Sequence, residues 1–173
     1  LAVTHPAAGN LGGGGFMLVR FADGRSTFLD FRERAPEKAT RDMYLDAAGN
    51  PTDDSKVGYR AAGVPGTVRG LEYAHRKYGG KPWAALLEPS VELAGKGFPV
   101  TWGISQSLRS KLLTRFPESR RIFQRDGKHF EPGETLAQPV LAATLRRIAQ
   151  LGSRDFYEGE SARRLAQTLA RCP

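Results

Sequence analysis

Cysteine is nearly absent: Cys172 is the one thiol in 173 residues. A single thiol makes no internal disulfide and no cysteine-based zinc site. Histidine is also sparse. His5, His75 and His129 are scattered, and no two have the spacing of metal ligands. No apolar run reaches the roughly 18 to 20 residues that a membrane-crossing helix needs. No signal peptide is visible in this stretch: Leu1-Ala2-Val3-Thr4-His5 has no methionine and no basic segment before a long apolar one. That opening, like the close at Arg171-Cys172-Pro173, reads as the interior of a longer chain. The nucleophile elbow Gly-x-Ser-x-Gly does not occur. Asp46-Ala47-Ala48-Gly49-Asn50 lacks the ligand spacing of a calcium loop and reads as a turn. There is no internal repeat and no low-complexity tract.

The remaining composition is ordinary for a soluble domain, at 40% hydrophobic and 25% charged residues. The basic side dominates, 26 Lys and Arg against 18 Asp and Glu, for a net charge of +8. Such a balance suits a nucleic-acid binder or a collector of acidic small molecules. It also suits a solvated basic surface, because the charges are not gathered into one arm.

The chain changes character near Pro65. Residues 1–64 are a hairpin and glycine-rich strand region, and 65–173 are mainly helical. Phe16-Met17-Leu18-Val19 and Ser26-Thr27-Phe28-Leu29-Asp30-Phe31-Arg32 read as strands. The Asp23-Gly24 dipeptide between them is a strong hairpin signal. Both strands carry apolar residues on both faces, which predicts a sheet covered on both sides. A helix opens near Pro65 and ends at Gly79-Gly80. The segment 81–96 reads as two helical pieces split at Pro89. Thr101 caps a helix bearing Ile104, Leu108, Leu112 and Leu113, with Pro117 beyond it. A small hairpin is expected around Asp126-Gly127, over 122–130. A helix over 139–151 stops at Gly152, and the last helix covers 161–170.

Two features invite chemistry. Gly12-Gly13-Gly14-Gly15 resembles a phosphate loop, but no Gly-Lys-Ser/Thr follows and the run leads into a strand. Its simpler reading is a backbone that passes close to another chain or a ligand. Arg32, in Asp30-Phe31-Arg32-Glu33, is the residue to single out. With a two-residue loop at Asp23-Gly24, Arg20 pairs with Thr27, Leu18 with Leu29, Phe16 with Phe31 and Gly15 with Arg32. The guanidinium then stands beside bare glycine backbone, as a planar cationic fork suited to a carboxylate. The alternative is an arginine tied to Asp30 or Glu33 for structure.

Several segments taken in order resemble the gamma-glutamyltranspeptidase family. They are Pro6-Ala7-Ala8-Gly9-Asn10-Leu11 with Gly12-Gly13-Gly14-Gly15-Phe16-Met17-Leu18, then Asp30-Phe31-Arg32-Glu33-Arg34-Ala35-Pro36 with Ala39-Thr40. Further along come Gly63-Val64-Pro65-Gly66-Thr67-Val68-Arg69-Gly70, Pro82-Trp83 through Gly97-Phe98, and Asp155-Phe156-Tyr157-Glu158-Gly159. Each is weak alone, but together they span nearly the whole chain. The resemblance implies an α/β (α+β) fold of the N-terminal-nucleophile hydrolase type, an αββα sandwich present here in part. It implies a piece of the large subunit of a precursor that cleaves itself. The small subunit's new N-terminal threonine would be both nucleophile and base. It would pass a γ-glutamyl group from glutathione and related compounds to water or an amino acid, through intermediates held by an oxyanion hole. Of the family's functional residues Arg32 alone maps here, as the group that holds the substrate's α-carboxylate. No catalytic residue lies in the chain on this reading. No cofactor or metal is expected, and the small subunit is the expected partner. A periplasmic or secreted location is implied.

Two rival readings remain open. An acylase or a capsule-polyglutamate processing enzyme shares the same scaffold, so fold cannot choose between them, although Arg32 favours a substrate with a free α-carboxylate. A basic nucleic-acid module is the rival from another class, and it lacks stacking motifs.

Overall fold

The computed structural model describes residues 1–170. In chain order they form β1 (Phe16–Arg20), β2 (Ser26–Asp30), α1 (Thr67–Tyr78), α2 (Trp83–Lys96), β3 (Phe98–Pro99), α3 (Trp102–Leu108), α4 (Lys111–Thr114), α5 (Pro117–Phe123), β4 (Thr135–Leu136), α6 (Pro139–Leu151), α7 (Ser153–Glu158) and α8 (Glu160–Ala170). Two compact units result: one joins Leu1–Ala8 to Gly80–Gly152, and the other joins Gly9–Gly79 to the chain from Ser153 on.

The first unit is helical around one core. α2 packs on α6, burying Val91 and Ala94 from one side and Ala142, Leu145 and Ile148 from the other. The Trp83 indole donates to the Ile148 carbonyl at 2.9 Å, which ties the start of α2 to α6. Pro89 does not split α2. It lies on the exposed side of the helix, and so does Ala85, the residue whose carbonyl loses its donor to the proline. Thr101 caps α3 as expected, accepting from Ile104 N at 3.4 Å, but the helical run breaks after Leu108. Pro117 then opens α5, its missing N–H costing nothing at a first turn.

The hairpin expected over 122–130 does not form. α5 runs to Phe123, and the buried Gln124 amide donates to the carbonyls of Leu108 at 2.8 Å and Ser110 at 3.1 Å. That tether ends the helix, and Asp126 turns the chain with φ of 57°. Strand pairing in this unit lies elsewhere, between β3 and β4, with Phe98 opposite Leu136.

The second unit holds the glycine-rich segment. β1 and β2 pair antiparallel with Phe16 opposite Asp30 and Arg20 opposite Ser26. This register is one residue away from the pairing predicted by a two-residue loop. The loop has three residues, Ala22-Asp23-Gly24, closed by Gly24 N donating to Phe21 O at 3.0 Å and Phe21 N to Arg25 O at 2.9 Å. Gly24 takes the left-handed position, with φ of 89°. A type I turn followed by such a glycine is the common three-residue hairpin. Asp23 reinforces it by accepting from Arg25 N at 3.0 Å and Arg25 Nε at 2.7 Å.

The hairpin's odd-numbered positions, Met17, Val19, Thr27 and Leu29, are half-buried. On the even-numbered face Phe16 is 55%, Leu18 74% and Phe28 59% exposed. The described residues thus cover one face of this sheet, where the apolar pattern predicted two. α1 contacts β2 and α7, and α7 contacts α8. The buried apolar side chains of this unit are few: Val68, Ala74 and Phe156. No helix among the described residues is long and apolar enough to cross a membrane.

Candidate functional site

Arg32 lies two residues past the end of β2, where the hairpin meets the glycine run. Gly15 and Phe31 exchange both backbone bonds, Gly15 N to Phe31 O at 3.3 Å and Phe31 N to Gly15 O at 2.9 Å. The one-residue change of register therefore puts Phe31, not Arg32, opposite Gly15. Arg32 comes against Gly14 instead: a β-carbon at position 14 would stand 2.7 Å from Arg32 Cα and 2.6 Å from Phe31 O. The expectation of bare glycine backbone beside Arg32 holds, shifted by one residue.

The same glycine run reaches the start of α1. The Gly13 carbonyl accepts from Gly66 N at 2.9 Å and Thr67 N at 3.0 Å. It thus satisfies two of the N–H groups that a helix leaves open at its N-terminus. Arg34 and Val64 form an isolated antiparallel bridge, with bonds of 3.1 and 2.8 Å. These links draw Gly13–Gly15, Phe31–Arg34 and Val64–Thr67 into one cluster of backbone.

A groove of about 800 Å³ opens on this cluster, with Arg32, Arg34, Arg69, Tyr73 and Tyr157 in its wall. Arg32 is exposed. Its N–H donates to Asp30 Oδ1 at 3.0 Å, so Asp30 turns the backbone and does not neutralise the guanidinium. The Arg32 Cζ stands 5.9 Å from the centroid of the Phe16 ring. Among the described residues no carboxylate lies within ion-pair distance of that guanidinium. The structural alternative, an arginine tied to Asp30 or Glu33, is not what the chain forms.

Arg69 and Tyr157 lie in two of the motifs that carry the family resemblance, and the sequence assigns neither a role. Tyr157 hydroxyl donates to Pro65 O at 2.9 Å and accepts from Arg69 N at 3.3 Å. Arg69 Cζ lies 4.5 Å from the Tyr157 ring centroid, and its Nη2 is 3.8 Å from Glu158. Burial pushes the Tyr157 phenol above its ordinary value, partly offset by Arg69. The lone signal for this pairing in the sequence was the co-occurrence of two short motifs. Among the described residues no group of three or more His, Cys, Asp or Glu is placed to hold a metal ion.

The motifs that build the groove are those that carry the family resemblance, and comparison with known proteins bears on them directly. The gamma-glutamyltranspeptidase family model matches residues 1–172. A glutathione hydrolase proenzyme of Pseudomonas sp. (strain A14) is 49% identical over 98% of this chain and 30% of its own length. The crystal structure of Helicobacter pylori gamma-glutamyltranspeptidase superposes with a TM-score of 0.96 at 40% identity, over 99% of this chain and 50% of that one. The Bacillus anthracis transpeptidase enzyme CapD superposes with a TM-score of 0.78 at 36% identity, over 100% of this chain and 53% of that one. The chain spans about 30% of the length of the curated relatives it matches. The α+β fold is therefore that of these enzymes, present in part. With a match that runs through the glycine run, the Asp-Phe-Arg-Glu segment and the Tyr157 motif alike, the chain belongs to the gamma-glutamyltranspeptidase family.

Proposed function

We propose that this chain is part of the large subunit of a gamma-glutamyltranspeptidase precursor, and that Arg32 binds the α-carboxylate of the γ-glutamyl donor. The observation that carries the proposal is the guanidinium itself. It is exposed at a groove, rooted on tightly packed backbone, and without a carboxylate partner among the described residues. A carboxylate entering the groove loses water, and a planar fork can return two hydrogen bonds to it. Held at that end, the substrate presents its γ-carbonyl in a defined place, which is how binding energy becomes rate.

The attacking group on this reading is the N-terminal threonine of the small subunit, released by self-cleavage of the precursor. Glutathione or a related γ-glutamyl compound is the donor, and water or an amino acid is the acceptor. The 49% identity to a glutathione hydrolase proenzyme supports glutathione and its relatives as the donor class. A periplasmic or secreted location follows from the same relationship.

Two measurements test the proposal. The 173-residue chain alone should not turn over a γ-glutamyl anilide, because an arginine that binds lowers no barrier without a nucleophile. In the full-length protein, Arg32→Ala should cost roughly 2 to 5 kcal/mol in binding of γ-glutamyl donors. Arg32→Lys should recover part of the loss, since it keeps the charge but not the fork. Self-cleavage should survive both changes. Failure of processing in Arg32→Ala would mark the residue as structural.

A further inference from the structure

We infer that Phe31 is the positioning residue of Arg32: its ring occupies a slot kept open by Gly70 and Gly15, and that seat fixes where the guanidinium stands. The inference rests on the reading of Arg32 given above.

Neighbouring side chains on extended backbone leave opposite faces, so a fixed Phe31 fixes the root from which Arg32 departs. The slot is tight at both ends. A β-carbon on Gly70 would overlap Phe31 Cβ and Cγ and stand 2.8 Å from Cδ1. The base of the ring thus lies directly on the backbone of α1. A β-carbon on Gly15 would stand 3.1 Å from Phe31 Cε2, so the far edge of the ring lies on the residue just before β1. The main chain is held as well. A β-carbon on Gly66 would overlap Phe31 O and stand 2.8 Å from Arg32 O.

Beyond its packed main chain, the Arg32 side chain lacks such support of its own. Its side chain is exposed, and the Phe16 ring lies 5.9 Å away. A long side chain with several free rotors binds weakly unless its root is set, because ordering those rotors costs entropy. The half-buried neighbour supplies the order that the exposed arginine lacks.

The test compares two anilides in the full-length protein. One is γ-glutamyl-p-nitroanilide. The other is 4-aminobutyryl-p-nitroanilide, which keeps the amine and the acyl chain but has no α-carboxylate. Phe31→Leu keeps apolar bulk but loses the edge that reaches Gly15. It should raise KM for the γ-glutamyl substrate about tenfold, the order of loss expected from a small misplacement, and leave kcat/KM for the aminobutyryl substrate unchanged. Gly70→Ala should act in the same direction and more strongly, and Phe31→Leu carries the test if Gly70→Ala does not fold. Equal losses on both substrates would show that Phe31 is merely structural and overturn the inference. If Arg32→Ala separates the two substrates and Phe31→Leu does not, positioning by Phe31 is wrong while the reading of Arg32 stands. If Arg32→Ala fails to separate them, both fall together.

Discussion

The hydroxyl of Tyr157 donates to the carbonyl of Pro65 at 2.9 Å, joining residues that are 92 positions apart in the chain. Pro65 precedes the first turn of α1, and Tyr157 lies in α7, so one phenol ties two helices beside the groove that holds Arg32. The same oxygen accepts from Arg69 N at 3.3 Å, and that N–H lies in the first turn of α1, where helical donors have no partner of their own.

Tyr157→Phe removes both bonds and keeps the ring. The expected loss is about 1 kcal/mol or somewhat more, because a half-buried carbonyl and an N–H lose their partner together. The melting temperature should fall by several degrees. An unchanged melting temperature would show that water replaces the phenol at no cost.

Glu72 supports the start of α7 from α1. Its carboxylate accepts from Ser153 N at 3.0 Å and Ser153 Oγ at 2.6 Å, with Arg76 at 3.1 Å. Burial pushes its pKa up, but the Ser153 bonds and Arg76 outweigh it and leave the group below 4.5. A depressed carboxylate stabilises the fold above its ordinary value, and that contribution is lost as pH falls through the folded-state value. Glu72→Gln should therefore destabilise by about 1 to 2 kcal/mol near neutral pH. The gap from wild type should close as pH drops below 4.5. Denaturant melts across that range check this, and a gap that stays constant with pH would contradict it.

Glu160 opens α8 and receives Arg164 Nε at 2.6 Å and Arg163 Nε at 2.9 Å. The hydrogen bonds from Arg164, then Arg163, hold its carboxyl down at about 2, against an ordinary 4.5. Its contribution to the helix is thus present above 4.5 and lost only as pH falls toward about 2. A carboxyl NMR titration should find the midpoint near 2. A midpoint at the ordinary value would mean that the two arginines do not hold it.

The even-numbered face of the β1–β2 hairpin presents Phe16, Leu18 and Phe28, with Leu18 74% exposed. Such a face on an isolated sheet invites self-association. The 173-residue chain expressed alone should sediment as a mixture of oligomers, and Leu18→Lys with Phe28→Lys should shift it toward monomer. A monodisperse wild-type monomer with a sharp cooperative melt would refute this.

Local chemistry made much of the architecture legible. Asp23-Gly24 marked the hairpin, Thr101 the cap of α3, and Pro139 and Gly152 the two ends of α6, because each signal acts over a few residues. Arg32 was readable too, as a cationic fork beside glycine. The register was not: two- and three-residue loops share the Asp-Gly signal and a positive φ at Gly24, and the choice rested on Asp23, which a two-residue type I′ loop would also place at positive φ and which keeps a negative one here. Pro89 looked like a break because a proline's cost depends on whether the freed carbonyl faces water, which periodicity does not report. The expected hairpin over 122–130 gave way to a helix and a turn once Gln124 found the Leu108 and Ser110 carbonyls.

By itself, then, the sequence determined the ends of α1 and α6 and the cap of α3, that glycine backbone would lie beside Arg32, and which family's motifs the chain carries. Tertiary structure alone decided which glycine faces which residue, that the Phe31 ring lies on Gly70, and that Tyr157 holds Pro65. The division has a physical cause. Caps and turns are set by neighbours a few residues away, whereas these contacts join positions dozens of residues apart, and glycine's part in them is the space that a missing β-carbon leaves.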